Sequence, residues 1–161
     1  MHFLTNLSMI NRRAVREVVL QALYALEVGE NPSDEIRSFI LKEKLESDKE
    51  ALQFAEKLFL KTVEMKDELD ETIEKQIRNW KMNRLAILDK LILRIALCEF
   101  LVFEDIPTKV TINEAIELAK QFSTRKSGRF VNGIADAALE DLLEQGKIEK
   151  RGRGLLQSPP K

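Results

Sequence analysis

The chain has 161 residues, with 26 basic and 27 acidic side chains, 44% hydrophobic and 33% charged positions; this is the length of one domain, or of two small bundles sharing a core, with apolar material enough to fill it. A single Cys98 and a single His2 exclude an internal disulfide, a four-ligand Cys/His zinc site and a Cys/His hydrolytic pair. The most apolar stretch, residues 91–103, is broken by Arg94 and Glu99 and is too short to cross a bilayer, and the opening MHFLTNLS lacks the basic start and apolar run of an export signal, so a cytoplasmic protein without membrane spans is predicted.

No glycine or proline lies between Ser33 and Ile106, a span far too long for a sheet protein that must turn every few residues. An all-α fold follows. Helices are predicted over residues 11–28, 33–46 (opened by Asn31-Pro32), 48–65, 67–80, 84–103, 112–122 and 128–143. Ser47 with Glu50, and Thr111 with Glu114, have the spacing of capping boxes. The fifth helix is apolar around its whole circumference, from Leu85 through Leu91, Ile92 and Leu93 to Phe100 and Leu101, so it should be a central spine with other helices on several sides. Arg94 and Glu99 on that spine need partners, because an unpaired buried charge is costly, and Gly133 is expected to allow close helix contact. Residues 1–10 read as a flexible leader, 11–146 as the helical domain, and 147–161 as a basic, disordered tail in which Gly and Pro break any helix.

The formal net charge of −1 hides a segregation. Residues 1–16, 118–135 and 147–161 carry +3, +4 and +4, leaving −12 for the remainder. A polyanion would therefore find local basic patches. On the first helix Val15, Val18, Val19, Ala22, Leu23 and Leu26 share one face, and Arg12, Arg13 and Arg16 fall within an arc of about 100 degrees beside it. Tyr24 lands nearly opposite the apolar centre with Leu20 close to it, either as a partner face or as a second surface packed by the same chain. The second candidate is QFSTRKSGRFVN, residues 121–132, where Phe130 is flanked by Arg125, Lys126 and Arg129 at a helix start. Backbone charge contacts with aromatic stacking of splayed bases are how single-stranded RNA is commonly held; the other reading makes Phe130 core packing and the cations a solvated surface. Glu114 and Glu117, three residues apart near a helix start, suit capping better than acid–base work. With no GxGxxG, no P-loop and no Ser/His/Asp or Cys/His set, no catalytic site, cofactor or metal is expected.

RRAVREVVLQALYALE at 12–27, ILDKLILRIALCEFLVFEDIPTKVTINEAIELAKQF at 87–122 and SGRFVNGIAD at 127–136 together resemble the NusB family of bacterial transcription antitermination factors, over roughly residues 11–143. The resemblance implies about seven helices in two three-helix subbundles around a central apolar helix, and no enzymatic activity. It implies binding of boxA RNA of ribosomal RNA operons together with NusE, a small-subunit ribosomal protein, in a larger complex with NusA, NusG and RNA polymerase. Carried over by motif, Arg12, Arg13, Arg16, Lys126 and Phe130 would contact RNA, and Tyr24 and Asp89 would face NusE. Lys126 stands where one branch of the family carries an acid, and Cys98 where an aromatic is common before the Glu.

Two other functions fit the same residues. A NusB-like domain also precedes certain RNA cytosine methyltransferases, which would make this chain the partner of a separate catalytic subunit. A purely protein-binding helical scaffold, a homodimer through the Tyr24 face included, is the third. The RNA reading expects the basic patches of residues 12–16 and 125–130 to lie on one side of the bundle.

Overall fold

The computed structural model describes residues 10–78 and 81–156. The expected leader up to residue 9, the end of the tail from 157, and the Asn79-Trp80 end of the fourth predicted helix lie outside them. The described residues form helices α1 (Arg12–Val28), α2 (Ser33–Ile36), α3 (Glu43–Leu45), α4 (Lys49–Glu64), α5 (Lys66–Gln76), α6 (Ile87–Val102), α7 (Thr108–Phe122) and α8 (Arg125–Glu144). A π-helical stretch, Arg37–Lys42, joins α2 to α3 without a break, so the described residues make seven helical runs besides the short 3₁₀ turns Met82–Arg84 and Gly152–Leu155. Two compact units result, Met1–Leu60 and Lys61–Lys161.

In the first unit, the Asn11 side chain accepts from the Ala14 amide at 2.8 Å and caps α1, and α1 buries Val15, Val19, Leu20, Ala22 and Leu23. The run from α2 to α3 buries Ile36, Leu41 and Leu45. Its π turn inserts one extra residue per turn and leaves Phe39 69% exposed. The expected Ser47–Glu50 capping box is not the cap of α4. Asp48 is, one residue later: its Oδ1 accepts from the Ala51 amide at 3.2 Å, its Oδ2 from the Ile10 amide at 2.8 Å, and its carbonyl from the Leu52 amide. Ser47 is displaced from the cap because the Asp48 amide still donates back to the Leu45 carbonyl, closing the preceding turn.

In the second unit α6 is the spine that its apolar circumference predicts: every residue from Leu91 to Phe100 is buried, and α5, α7 and α8 all pack on it. The two charges within that buried stretch, Arg94 and Glu99, both have partners. Arg94 holds Asp70 with two parallel bonds, Nε to Oδ1 at 2.6 Å and a terminal nitrogen to Oδ2 at 2.8 Å. Glu99 accepts the Thr111 hydroxyl at 2.8 Å. Thr111 is therefore a core partner and not the start of a capping box. Proline fixes the backbone at Pro107, where φ is −61°, so α7 begins at Thr108 and the Thr111 amide already donates to the Pro107 carbonyl.

Helix α8 also starts earlier than its apolar pattern suggests, at Arg125, capped by the Thr124 hydroxyl accepting from the Ser127 amide at 3.1 Å. It ends on Gly146 at φ +68°, with the Gly146 and Lys147 amides donating to the Leu143 and Leu142 carbonyls, the paired bonds of a left-handed glycine terminator. Gly133 does not mediate helix contact: a Cβ there would meet nothing within 4 Å. Gly128 does, since its Cβ would sit 3.2 Å from Lys120 Cγ on α7.

The chain beyond α8, expected to be a disordered tail, is tied down as far as Leu156. The Lys150 ammonium donates to the Phe103 carbonyl at 2.7 Å and the Glu99 carbonyl at 3.1 Å, as a second donor beside the Ile106 and Phe103 amides, at the negative end of the α6 dipole where a cation is favoured. The Arg151 amide donates to the Glu104 carbonyl, and a short 3₁₀ turn, Gly152–Leu155, follows. One lysine at a helix end supplies the anchor that large apolar residues do not. Burial of Lys150 pushes its pKa down, against the raising fields of Glu99, Asp105 and Glu104.

Candidate nucleic-acid interface

Helices α1 and α8 begin alike. A polar cap, Asn11 or Thr124, is followed at once by two basic side chains, Arg12-Arg13 or Arg125-Lys126, and neither first turn holds an acid. A helix start carries the positive end of the macrodipole, so cations there oppose it by about 0.3–1 kcal/mol each. Two helices that put cations at their positive ends present sites an anion would relieve.

In the first unit Arg12 and Arg13 are exposed. Arg16 is not: it is 3% exposed, although the helical projection puts it on the same arc. Its guanidinium carbon lies 5.5 Å from the centre of the Phe54 ring, and that of Arg12 lies 4.4 Å from it. One buried ring thus receives two cations. Phe54 is a residue that reading the sequence missed; on α4 it shows only as one more apolar position, and nothing in its spacing announces the arginines above it. The two readings of the Tyr24 face divide. Leu20 is 2% exposed and belongs to the core, whereas Tyr24 is 42% exposed and Val28, one turn on, is exposed with it.

In the second unit Arg125, Lys126 and Arg129 are exposed and Phe130 is partly buried, next to fully buried Val131. Phe130 thus meets both of its readings halfway, with part of the ring packed and part open. Ser127 turns inward, 6% exposed. Its hydroxyl donates to Asp89 Oδ2 at 3.0 Å and lies 2.9 Å from the Ser123 hydroxyl and 3.1 Å from that of Thr124. Asp89, which the family resemblance puts on a partner-facing surface, is 7% exposed, and its Oδ1 is buried with no hydrogen-bond partner. Its position in the first turn of α6 aims the carboxylate at the start of α8 instead of at solvent. Among the described residues no group of three or more His, Cys, Asp or Glu side chains could hold a metal ion, and no helix is long and apolar enough to cross a membrane.

Known proteins share this fold. A family model described as the NusB family matches residues 13–151. The transcription antitermination protein NusB of Salinibacter ruber is 44% identical over 148 residues, 92% of this chain and 92% of the relative. Among solved structures, T. maritima NusB matches with a TM-score of 0.75 at 36% identity, over 82% of this chain and 92% of that one. A crystal structure of antitermination factors NusB and NusE in complex with dsRNA holds a chain that matches with a TM-score of 0.74 at 25% identity, over 81% of this chain and 96% of that one. With the seven helical runs, the family match across residues 13–151 and a relative this similar along nearly its full length, the chain belongs to the NusB family.

Proposed function

We propose that this chain is a transcription antitermination factor that binds boxA-type single-stranded RNA of ribosomal RNA operons together with NusE. The observation that carries the reading is the pair of acid-free, doubly basic helix starts at Arg12-Arg13 and Arg125-Lys126. The name of the Salinibacter ruber relative supports the antitermination role, and the neighbour solved with NusE and dsRNA supports NusE and RNA as the classes of partner. Arg12, Arg13, Arg125, Lys126 and Arg129 neutralise phosphates and release counterions, giving affinity without sequence preference. Phe130 offers its open part to a base, and stacking of this kind selects single strands over duplex. Arg16, buried under the same helix, supports Arg12 from within through Phe54 and does not itself reach a phosphate. Tyr24 anchors NusE, an exposed aromatic with a polar tip being well suited to a protein interface. The RNA-bound pair then joins NusA, NusG and RNA polymerase in the cytoplasm, and the chain acts as an adaptor with no chemistry of its own.

Fluorescence anisotropy with a boxA-type RNA and a scrambled RNA of equal length, with and without purified NusE, tests this. The reading predicts tighter binding to the boxA-type strand and a further gain with NusE. Equal affinity for both strands in both conditions would overturn it. Strong NusE binding with no gain in RNA affinity would favour a protein-binding scaffold.

A further inference from the structure

Asp89 and Ser127 are 38 residues apart and join the first turn of α6 to the first turn of α8. A carboxylate oxygen can only accept, so the Ser127 hydroxyl donates to Asp89 and its lone pairs are left for the Ser123 and Thr124 hydroxyls at 2.9 and 3.1 Å. With Oδ1 unpartnered, Ser127 is the one hydrogen-bond donor to Asp89 among the described residues. Among the described residues this is the one side-chain hydrogen bond between the turn and the Asp89 carboxylate. On its other side the turn is pressed against α7, where a Cβ at Gly128 would lie 3.2 Å from Lys120 Cγ and 3.8 Å from Ile116 Cγ2. Ser127 and Gly128 are thus held from within, while Arg125, Lys126 and Arg129 on the same turns are exposed.

We propose that Asp89 and Ser127 are positioning residues for RNA binding: their buried hydrogen bond fixes the start of α8 so that Arg125, Lys126, Arg129 and Phe130 meet the RNA as a preset group. This rests on the reading that the start of α8 contacts RNA, and it replaces direct contact with NusE as the role of Asp89. Four side chains on a wandering turn would each have to be ordered when RNA arrives; on a fixed turn that ordering is already present, and the affinity rises accordingly. Because the two residues act through one bond, their loss should not add.

The test measures affinity for a boxA-type RNA and, separately, for purified NusE, using Ser127→Ala, Asp89→Ala, the double variant and Asp89→Asn, with amide hydrogen exchange over residues 125–130. Each alanine variant is expected to lower RNA affinity about tenfold, the loss of one charge-assisted hydrogen bond. The double variant should lie within about twofold of either single one. NusE affinity should not move, exchange at 125–128 should accelerate, and Asp89→Asn, whose amide oxygen still accepts, should recover most of the RNA affinity. Leu142→Ala, at the far end of α8, should lower the melting temperature without touching RNA affinity. That control separates positioning from general stability. If Ser127→Ala does not fold, Ser127→Cys, of nearly the same size with a much weaker donor, is read in the same way. A loss of NusE affinity in Asp89→Ala with none in Ser127→Ala would overturn the proposal and return Asp89 to a contact role. Unchanged RNA affinity in Ser127→Ala would overturn it too, and if Lys126→Ala and Phe130→Ala also bind normally, the RNA reading of α8 falls with it.

Discussion

The Arg12 guanidinium stacks on the Phe54 ring at 4.4 Å, from α1 onto α4. The same ring receives the buried Arg16 at 5.5 Å, so one aromatic side chain connects an exposed cation to the core of the first unit. Phe54→Leu keeps an apolar side chain of similar reach and removes the π face. It is expected to cost about 1–2 kcal/mol of stability, from lost packing and the lost cation contacts together. In urea melts of the single and double variants, Phe54→Leu and Arg12→Ala should couple by about 0.5–1 kcal/mol. Additive losses would mean that the ring serves the core alone.

The spine and the basic helix starts were legible because both are written locally: an apolar circumference over residues 85–101, and cations with no acid beside them. Capping was legible only in part. Asn11 reads correctly as a boundary, but Ser47 and Thr111 have capping spacing and do not cap, because a neighbouring carboxylate at Asp48 and the fixed backbone of Pro107 set the helix starts first. Spacing along the chain does not say which of two adjacent candidates wins. The inward turn of Arg16, Asp89 and Lys150 was not legible for a different reason: each is a charged residue whose partner is far away in sequence, Phe54, Ser127 and the α6 carbonyls respectively. Charge alone suggests solvent, and only the fold supplies the partner that lets the charge turn inward.

The glycines give a stability test with opposite signs. Gly133 is exposed inside α8 with open space where a Cβ would go. Gly133→Ala should therefore raise stability by about 0.5–1 kcal/mol, by restricting the unfolded chain and favouring the helix. Gly154 is the reverse case, since its Cβ would fall 1.7 Å from the Glu104 carbonyl oxygen. Gly154→Ala should lower stability by about 1–3 kcal/mol through forced backbone displacement. Chemical melts of the two variants check both; a stabilised Gly154→Ala would show that the segment after α8 does not pack on the Glu104 turn.

Lys150 ties that segment to α6, and its removal has a pH signature. Lys150→Met deletes the donors to the Glu99 and Phe103 carbonyls and should cost about 1–2 kcal/mol near neutral pH. Burial holds the folded-state pKa of Lys150 below its ordinary value of 10.5. Between the two values the unfolded chain binds more protons than the folded one, so this group adds stability as pH rises and the addition is complete above 10.5. The gap between wild type and Lys150→Met should therefore widen on the alkaline side, up to pH 10.5. A gap that narrows there would contradict the burial of the ammonium.

The contribution of both basic helix starts to RNA binding is tested most directly by the salt dependence of affinity for a boxA-type strand. Each phosphate contact on single-stranded RNA adds roughly 0.7 to the slope of log affinity against log salt. Replacing Arg12 and Arg13 should reduce the slope by about 1.4, and replacing Arg125, Lys126 and Arg129 by about 2, whereas Arg16→Ala should lower the melting temperature and leave the slope unchanged. A slope that stays at the wild-type value when either exposed group is removed would contradict the account, because that helix start would then carry no phosphate.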